Sequence, residues 1–563
     1  MNRINKFAAT FVLLALISSL AFSTAADKNS ANGRGTVKAD DLKEWLGYLA
    51  SDELEGRNTF SEGLGIAAAY IAGQLKSWGV KPGGTNGSYY QRVAVLGVKS
   101  DNQSTLTVEV NGESRTFKNK EGINFPANVG GKRTFTADQI EFIGYGINAP
   151  NTSYNDFAGK DLRGKVAVWM SQTGPKAMTG SARRVLFGRS REAITQGAIA
   201  SIGVQGNFPG GGQAPQNAQA NPDAPDFTIA EKLDKPVPPA VSVNDEFYEF
   251  LLSAADVKYA DLKDKAAKGE PLPSFTLKNV KFTFNLDADY RIVRTQYTRN
   301  VVGIIEGTDA KLKDTYVAFG AHYDHVGYSE AEIKQTEKGA RLARGQGRIT
   351  EGAGADRIWN GADDDGSGTV GILGVAKAFA TTAKPKRSVI FVWHSGEEKG
   401  LWGSRYYVDF PTVPVEKIVA QVNIDMIGRN RDNKSEETST VYCVGSDRIS
   451  TQFHNLTVDA NKALSKPLNL NYEFNDPADP EQIYYRSDHY SYAAKGVPII
   501  FLTTGLHPDY HANTDAPEKI EYEKMANIAQ YAYEIGRMVA NNDKAPMRDN
   551  KGPRVGKGSS GKL

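Results

Sequence analysis

A chain of 563 residues is too long for a single hydrophobic core and suits two or more domains. Its net charge of +2 argues against binding to nucleic acid or to an anionic membrane surface. The one cysteine, Cys443, rules out an intramolecular disulfide framework, and its place in the strand-like run TVYCVG marks it as buried packing.

Arg3 and Lys6 precede an apolar stretch at 7–20, followed by the small residues of AFSTAA. That is the pattern of a secretory signal peptide over 1–25. The stretch is shorter than the roughly 20 residues of a membrane span, and no cysteine follows to carry a lipid. Export without disulfides leads us to expect a periplasmic or secreted protein, bacterial, with no stable membrane association.

Residues 39–79 read as two helices. Leu42, Trp45, Leu46 and Leu49 follow helical spacing, Glu55-Gly56-Arg57 breaks it, and 66–78 resumes it. From 97 to about 276 the character changes to alternating strands with many glycines. TLTVEVNGESRTF predicts a hairpin turning at Asn111-Gly112, and 210–225 is a flexible loop by composition. From about 277 a run of strands (FTFNLDADYRIV, NVVGIIEG, TYVAFG) leads into strand–helix alternation up to 541. The fold class expected is therefore α/β, with a mixed, mainly parallel twisted sheet sandwiched by helices. Residues 542–563 read as a disordered tail.

Short polar words close the apolar runs of this second half. His322 and Asp324 stand in AHYDH, Asp364 in GADDDGSG, and Glu397 and Glu398 in HSGEEKGLWGS. Asp425 stands in NIDMIG and His511 in PDYHANTD. The runs TYVAFG, SVIFVW, IVAQVNI and VPIIFL are of the buried parallel-strand type, and ligands of open α/β sheets bind beyond the carboxyl ends of such strands. Zinc takes imidazole nitrogen and carboxylate oxygen, and two zinc ions roughly 3.5–4 Å apart can act together on one carbonyl. Such a pair needs one bridging carboxylate plus a histidine and a carboxylate for each ion. These words supply that inventory.

Together the words resemble the co-catalytic di-zinc aminopeptidase family, which includes relatives of aminopeptidase Y and glutamate carboxypeptidase II. The likeness covers about 37–95 and 277–541. It implies two zinc ions per chain, with His322 and Asp425 on one, Glu398 and His511 on the other, and Asp364 bridging. Asp364 is chosen among three aspartates because it opens a D-x-x-S-G word; Asp363 and Asp365 then shape the turn. The resemblance further implies Glu397 as general base, Asp324 as the carboxylate that orients the ligating histidine, and Tyr510 as a phenol for the oxyanion. A peptidase domain in two parts, 37–96 and 277–541, would flank an insertion at 97–276. Within it, Gly144-Tyr145-Gly146, Asp161-Leu162-Arg163-Gly164-Lys165 and Gly197-Ala198 resemble a β-rich protease-associated domain.

The activity implied is removal of N-terminal residues from a peptide substrate. Rivals on the same scaffold are a carboxypeptidase or dipeptidase gripping a carboxylate through Arg486, Arg341, Arg344 or Arg348, and a glutaminyl cyclase. A receptor-like protein without catalysis stands further off. No P-loop, dinucleotide fingerprint or Ser-His-Asp word competes. His325 and His489, beside the matched words, are expected to make structural hydrogen bonds, and His507 a loop contact. A long polar insertion at about 328–358 separates His322 from Asp364 and bears on the cleft rim. Oligomeric state has no signature here.

Overall fold

The computed structural model describes residues 33–149, 154–176, 183–204, 225–336, 339–342, 346–477 and 479–550. The expected signal peptide, nearly all of the 210–225 loop, Arg344 and the last part of the expected tail lie outside them.

Nine strands form the main path of the first sheet. They are β1 (Tyr90–Asn102), β2 (Asp226–Ile229), β3 (Ala288–Ile305), β4 (Tyr316–His322), β5 (Ser388–His394), β6 (Ile418–Ile424), β7 (Thr440–Val444), β8 (Asn469–Asn471) and β9 (Ile499–Thr503). Their order is β2-β1-β3-β5-β4-β6-β9-β7-β8, with the short strand Lys81–Pro82 paired beside β3. The centre, β5-β4-β6-β9, is parallel throughout. The flanks are antiparallel, β3 against β5 and β7 against β9. The sheet is thus the mixed α/β type expected, parallel among the strands that carry the polar words and again between β7 and β8 at the edge.

Strand alternation builds a layer on each face. Val389, Phe391 and Trp393 of β5 enter one core with helices α1 (Ala39–Leu49), α2 (Glu62–Ser77), α3 (Gly368–Thr381), α5 (Thr451–Lys462) and α6 (Tyr522–Asn541). Ile390 and Val392, pointing the other way, enter a second core with Tyr407 of α4 (Trp402–Asp409) and Tyr492. Burial on both faces is why these runs are apolar without a gap. Among the described residues, no helix is long and apolar enough to cross a membrane.

Among the described residues, ten further strands make a second sheet with a core of its own around Phe142, Ile202, Val243 and Phe282, and three two-stranded ribbons stand apart from both sheets. The chain leaves and rejoins the first sheet along paired strands, with Asn102 of β1 opposite Ala288 of β3. β1 runs past residue 97, and β2 returns from the intervening stretch to pair with β1. The hairpin forms between Thr105–Val110 and Glu113–Asn119, with Asn111 at φ 50° and Gly112 at φ 87°. Both central residues of a type I′ turn need positive φ, which Asn-Gly tolerates.

The break between α1 and α2 is equally specific. Glu55, Gly56 and Arg57 have φ of 47°, 64° and 50°, and a Cβ on Gly56 would stand 2.2 Å from the Trp359 carbonyl oxygen. This left-handed turn drives the Arg57 side chain into the interior, where it is 1% exposed.

Helix α6 crosses the first core so closely that a Cβ at Gly536 would meet Phe319 Cζ at 2.2 Å. Phe319 is fully buried and stacked on Phe391 at 5.4 Å between ring centroids, so the ring has little room to yield. Alanine gains up to about 1 kcal/mol over glycine in helix propensity. Overpacking of a tight core costs about 1–3 kcal/mol. Gly536→Ala is expected to destabilise by up to about 2 kcal/mol, the overpacking cost less the propensity gain. Urea unfolding measures it, and a more stable variant would contradict this packing.

Candidate metal centre

The candidate residues of the polar words, Asp364 excepted, close or follow the carboxyl ends of the parallel strands. His322 ends β4, and Asp324 and His325 follow it; Glu397 and Glu398 follow β5 and Asp425 follows β6. Tyr510 and His511 lie on the loop after β9. Asp364 lies in a short helical segment, Ala362–Ser367, that opens α3.

Asp364 touches both histidines. Its Oδ1 is 3.3 Å from His322 Nε2, and its Oδ2 is 3.1 Å from His511 Nε2. On the first side His322 Nε2 is also 3.7 Å from Asp425 Oδ2 and 4.0 Å from Glu397 Oε2. On the second side His511 Nε2 is 3.1 Å from Glu398 Oε1. Two donor groups therefore share one carboxylate.

Ionisation follows from this crowding. Burial raises the cost of charge on Asp364, but His322 and His511 outweigh it and hold the carboxyl well below its usual range. Burial acts likewise on Glu398 and is outweighed chiefly by His511, so Glu398 is also held low. Burial disfavours protonated His322 and His511, yet the carboxylates facing each hold their pKa well above the ordinary value. Glu397 goes the other way: burial lifts its carboxyl well above normal, His322 opposes, and Glu398 and Asp425 add to the lift. The carboxylates thus demand cations. Metal ligation meets the same demand with the imidazoles neutral.

The neighbouring acids have a different task. Asp363 Oδ1 accepts from the Gly428 N–H at 2.6 Å, and Asp363 Oδ2 meets His507 Nε2 at 3.1 Å. Asp365 accepts from the backbone N–H groups of His322, Gly368 and Met426 at 2.9–3.2 Å. Both hold the turn in shape. Asp324, to which the resemblance gives the orienting of the ligating histidine, makes its closest contacts elsewhere. Its carboxylate stands 3.9 Å from His322 Nδ1, which instead meets the Asp324 backbone carbonyl at 2.9 Å. The carboxylate accepts from Thr59 Oγ1 at 2.8 Å and from the N–H groups of Gly396 and Glu397 at 2.8 and 3.2 Å. It thereby fixes the backbone of Glu397.

Tyr510 stacks on His511, with centroids 4.1 Å apart, and its hydroxyl accepts from Arg486 Nη2 at 3.1 Å. Arg486 Nη1 donates to Glu481 at 3.0 Å. Two described residues of the 328–358 insertion reach the loops of the site. Gln346 donates to the Glu398 carbonyl at 2.9 Å, and Arg348 donates to the carbonyls of Tyr510 (2.9 Å) and His511 (2.7 Å). Among the other histidines, His489 makes the structural bond expected, Nε2 to the Tyr484 carbonyl at 2.8 Å. His325 does not. Neither ring nitrogen has a hydrogen-bond partner among the described residues.

Sequence reasoning passed over two residues. Asp515, in the same word as His511, accepts from the N–H groups of Asp363 and Asp364 at 3.0–3.1 Å. Arg57 donates to the carbonyls of Tyr323 (3.0 Å), Asn360 (2.8 Å), Gly361 (2.9 Å) and Leu49. It ties the first helices to the segments that carry His322 and Asp364. Burial lowers its pKa to about 10 against the pull of Asp365, Asp515, Asp324 and Asp364, so it stays charged at neutral pH. The Gly-Arg break in helical spacing was its only sequence signal.

Residues 300–535 match peptidase family M28. A probable leucine aminopeptidase of Arthroderma benhamiae is 30% identical over 188 residues, which cover 31% of this chain and 48% of that protein. Leucine aminopeptidase 2 of Arthroderma otae is 34% identical over 152 residues, 26% of this chain and 28% of that protein. The chain thus spans about half or less of the length of these curated relatives. An aminopeptidase from Aneurinibacillus sp. strain AM-1 superposes over 92% of this chain and 100% of its own, with 19% identity and a TM-score of 0.43. The curated relatives are fungal proteins, which overturns the assignment to a bacterial periplasm. A charged start, an apolar core and small residues are read alike by bacterial and eukaryotic export machinery, so nothing in those residues spoke for a bacterium.

Replacing Arg57 with methionine leaves four carbonyls without their donor and several buried carboxylates without their counter-charge. Arg57→Met is expected to cost about 3–5 kcal/mol, as for other buried charges stripped of a partner. Urea denaturation tests this; a loss below about 1 kcal/mol would remove Arg57 from its place in the site.

Proposed function

Because residues 300–535 belong to peptidase family M28, we propose that the protein is a two-zinc aminopeptidase. The observation that carries this reading is Asp364, whose two oxygens each meet a different histidine. The donors suit the group. Zinc bonds of about 2.0–2.1 Å in a tetrahedron set neighbouring ligand atoms about 3.3 Å apart. The separations of His322 from Asp364 and Asp425 (3.3 and 3.7 Å) and of His511 from Asp364 and Glu398 (3.1 Å each) lie around that spacing. His322, Asp425 and Asp364 would hold one zinc, and Glu398, His511 and Asp364 the other. When bound, zinc lowers the pKa of water and polarises the peptide carbonyl.

The protein's own groups complete the reaction. Glu397, fixed through its N–H on Asp324 and lifted in pKa by burial, takes the proton of the attacking water. It then returns that proton to the leaving amine. The Tyr510 hydroxyl, which accepts from Arg486, has its own hydrogen free to donate to the oxyanion. A substrate α-amine suits a cleft rich in carboxylates. Recognition of a terminal carboxylate calls for free arginines, whereas Arg486 is engaged by Glu481 and Tyr510, and Arg348 by backbone carbonyls. The second sheet, with its GYG and DLRGK words, fits a protease-associated domain inserted between the two parts of the peptidase.

Glu397→Gln is expected to keep its zinc and lose about 10²–10⁴-fold in kcat, the usual reach of general acid–base catalysis. Elemental analysis beside turnover of an aminoacyl fluorogenic peptide reads both. A metal-loaded variant with near-normal kcat would reject the base, and wild-type protein that takes up no zinc would reject the centre.

Comparing one short peptide in free, N-acetylated and C-amidated forms tests direction. Acetylation should nearly abolish cleavage and amidation should matter little. The opposite pattern would make the enzyme a carboxypeptidase.

A further inference from the structure

His325 is the histidine that neither the matched words nor the proposed chemistry uses. It is fully buried, and its Nδ1 lies 3.0 Å from Glu398 Oε1 and 3.8 Å from Asp364 Oδ2. None of these three atoms has a hydrogen-bond partner among the described residues. Interior polar groups are nearly always paired, so three unpaired donors and acceptors converging on one point need an explanation. His511 Nε2 reaches the same two oxygens, at 3.1 Å each. One carboxylate oxygen can accept from two imidazoles, but His325 Nδ1 and Glu398 Oε1, 3.0 Å apart, do not meet hydrogen-bond geometry, and a cation shared by His325, Asp364 and Glu398 satisfies all three. The separations fall around the roughly 3.3 Å that a tetrahedral zinc imposes on its ligands.

The backbone is shaped to hold this ring. The His325 N–H donates to the Arg57 carbonyl at 3.1 Å. Gly361 lies against its face, where a Cβ would stand 2.4 Å from ring carbons Cγ and Cδ2. The ring meets His511 edge to face, with centroids 5.7 Å apart.

We infer that His325 is a further zinc ligand, completing with His511, Glu398 and Asp364 a four-residue set around the second ion. This rests on the two-zinc reading above. Four protein ligands close a zinc site, whereas three leave a position open for catalysis. The two ions would then differ in kind. The ion held by His325 and His511 would have four protein ligands, and the one held by His322 and Asp425 three, on the side where Glu397 stands.

X-ray absorption at the zinc edge counts the imidazoles on the wild-type enzyme, and calorimetric titration of the metal-free enzyme with zinc measures each affinity. Three imidazoles shared between two ions support the inference. His325→Asn should then drop to two imidazoles and bind its weaker zinc at least about 10–100-fold less tightly, the scale that even supporting groups of metal ligands contribute. Two zinc ions carrying only two imidazoles in the wild type would overturn the role of His325 and leave the two-zinc reading standing. Wild-type enzyme without zinc would overturn both. If His325→Asn does not fold, the wild-type imidazole count decides alone.

Discussion

Crowding carboxylates out of water at the ends of four parallel strands is the constraint on which the rest of this structure depends. Asp324, Asp363, Asp364, Asp365, Glu398, Asp425 and Asp515 are all buried there. Isolated buried charge is untenable, so each must find donors or cations. The protein divides them into two groups. Asp324, Asp363, Asp365 and Asp515 turn to backbone N–H groups and hold the loops. Asp364 and Glu398 keep oxygens that no hydrogen bond satisfies, and these, with Asp425, face the histidines. The architecture of the loops and the appetite for metal are two outcomes of one electrostatic problem.

This constraint explains why distant parts of the chain belong to one site. The helices before residue 80 add no carboxylate or imidazole to the cluster, yet the Gly56 turn drives Arg57 under it. Its guanidinium supplies fixed positive charge and binds carbonyls that neighbour both His322 and Asp364. The 328–358 insertion acts from the opposite side, where Gln346 and Arg348 bind carbonyls of the segments bearing Glu398 and His511. Both contributions are made through backbone atoms, so the identity of the gripped residues leaves little trace in sequence.

The parallel centre sets where the cluster can form. Strands β4, β5, β6 and β9 all end on one edge, and their two-sided burial leaves the carboxyl-terminal rim as the place for polar groups. The antiparallel strands on either flank widen the sheet. Through β1 and β3 they also carry the chain out to the second sheet and back.

Sequence alone determined the strand runs, the polar words at their ends and the Asn-Gly hairpin, because alternation, burial on both faces and turn chemistry are local properties of the chain. It also determined that imidazoles and carboxylates sit where parallel strands end. Only the tertiary structure decided which atoms meet. Asp324 holds the Glu397 backbone and offers His322 a carbonyl, because the strand end sets the carboxylate 3.9 Å from the ring nitrogen. His325 faces Glu398, and Arg57 reaches across about 300 positions to Asn360 and Gly361. Such meetings depend on side-chain direction and on loops closing over one another, and no periodicity in the chain encodes them.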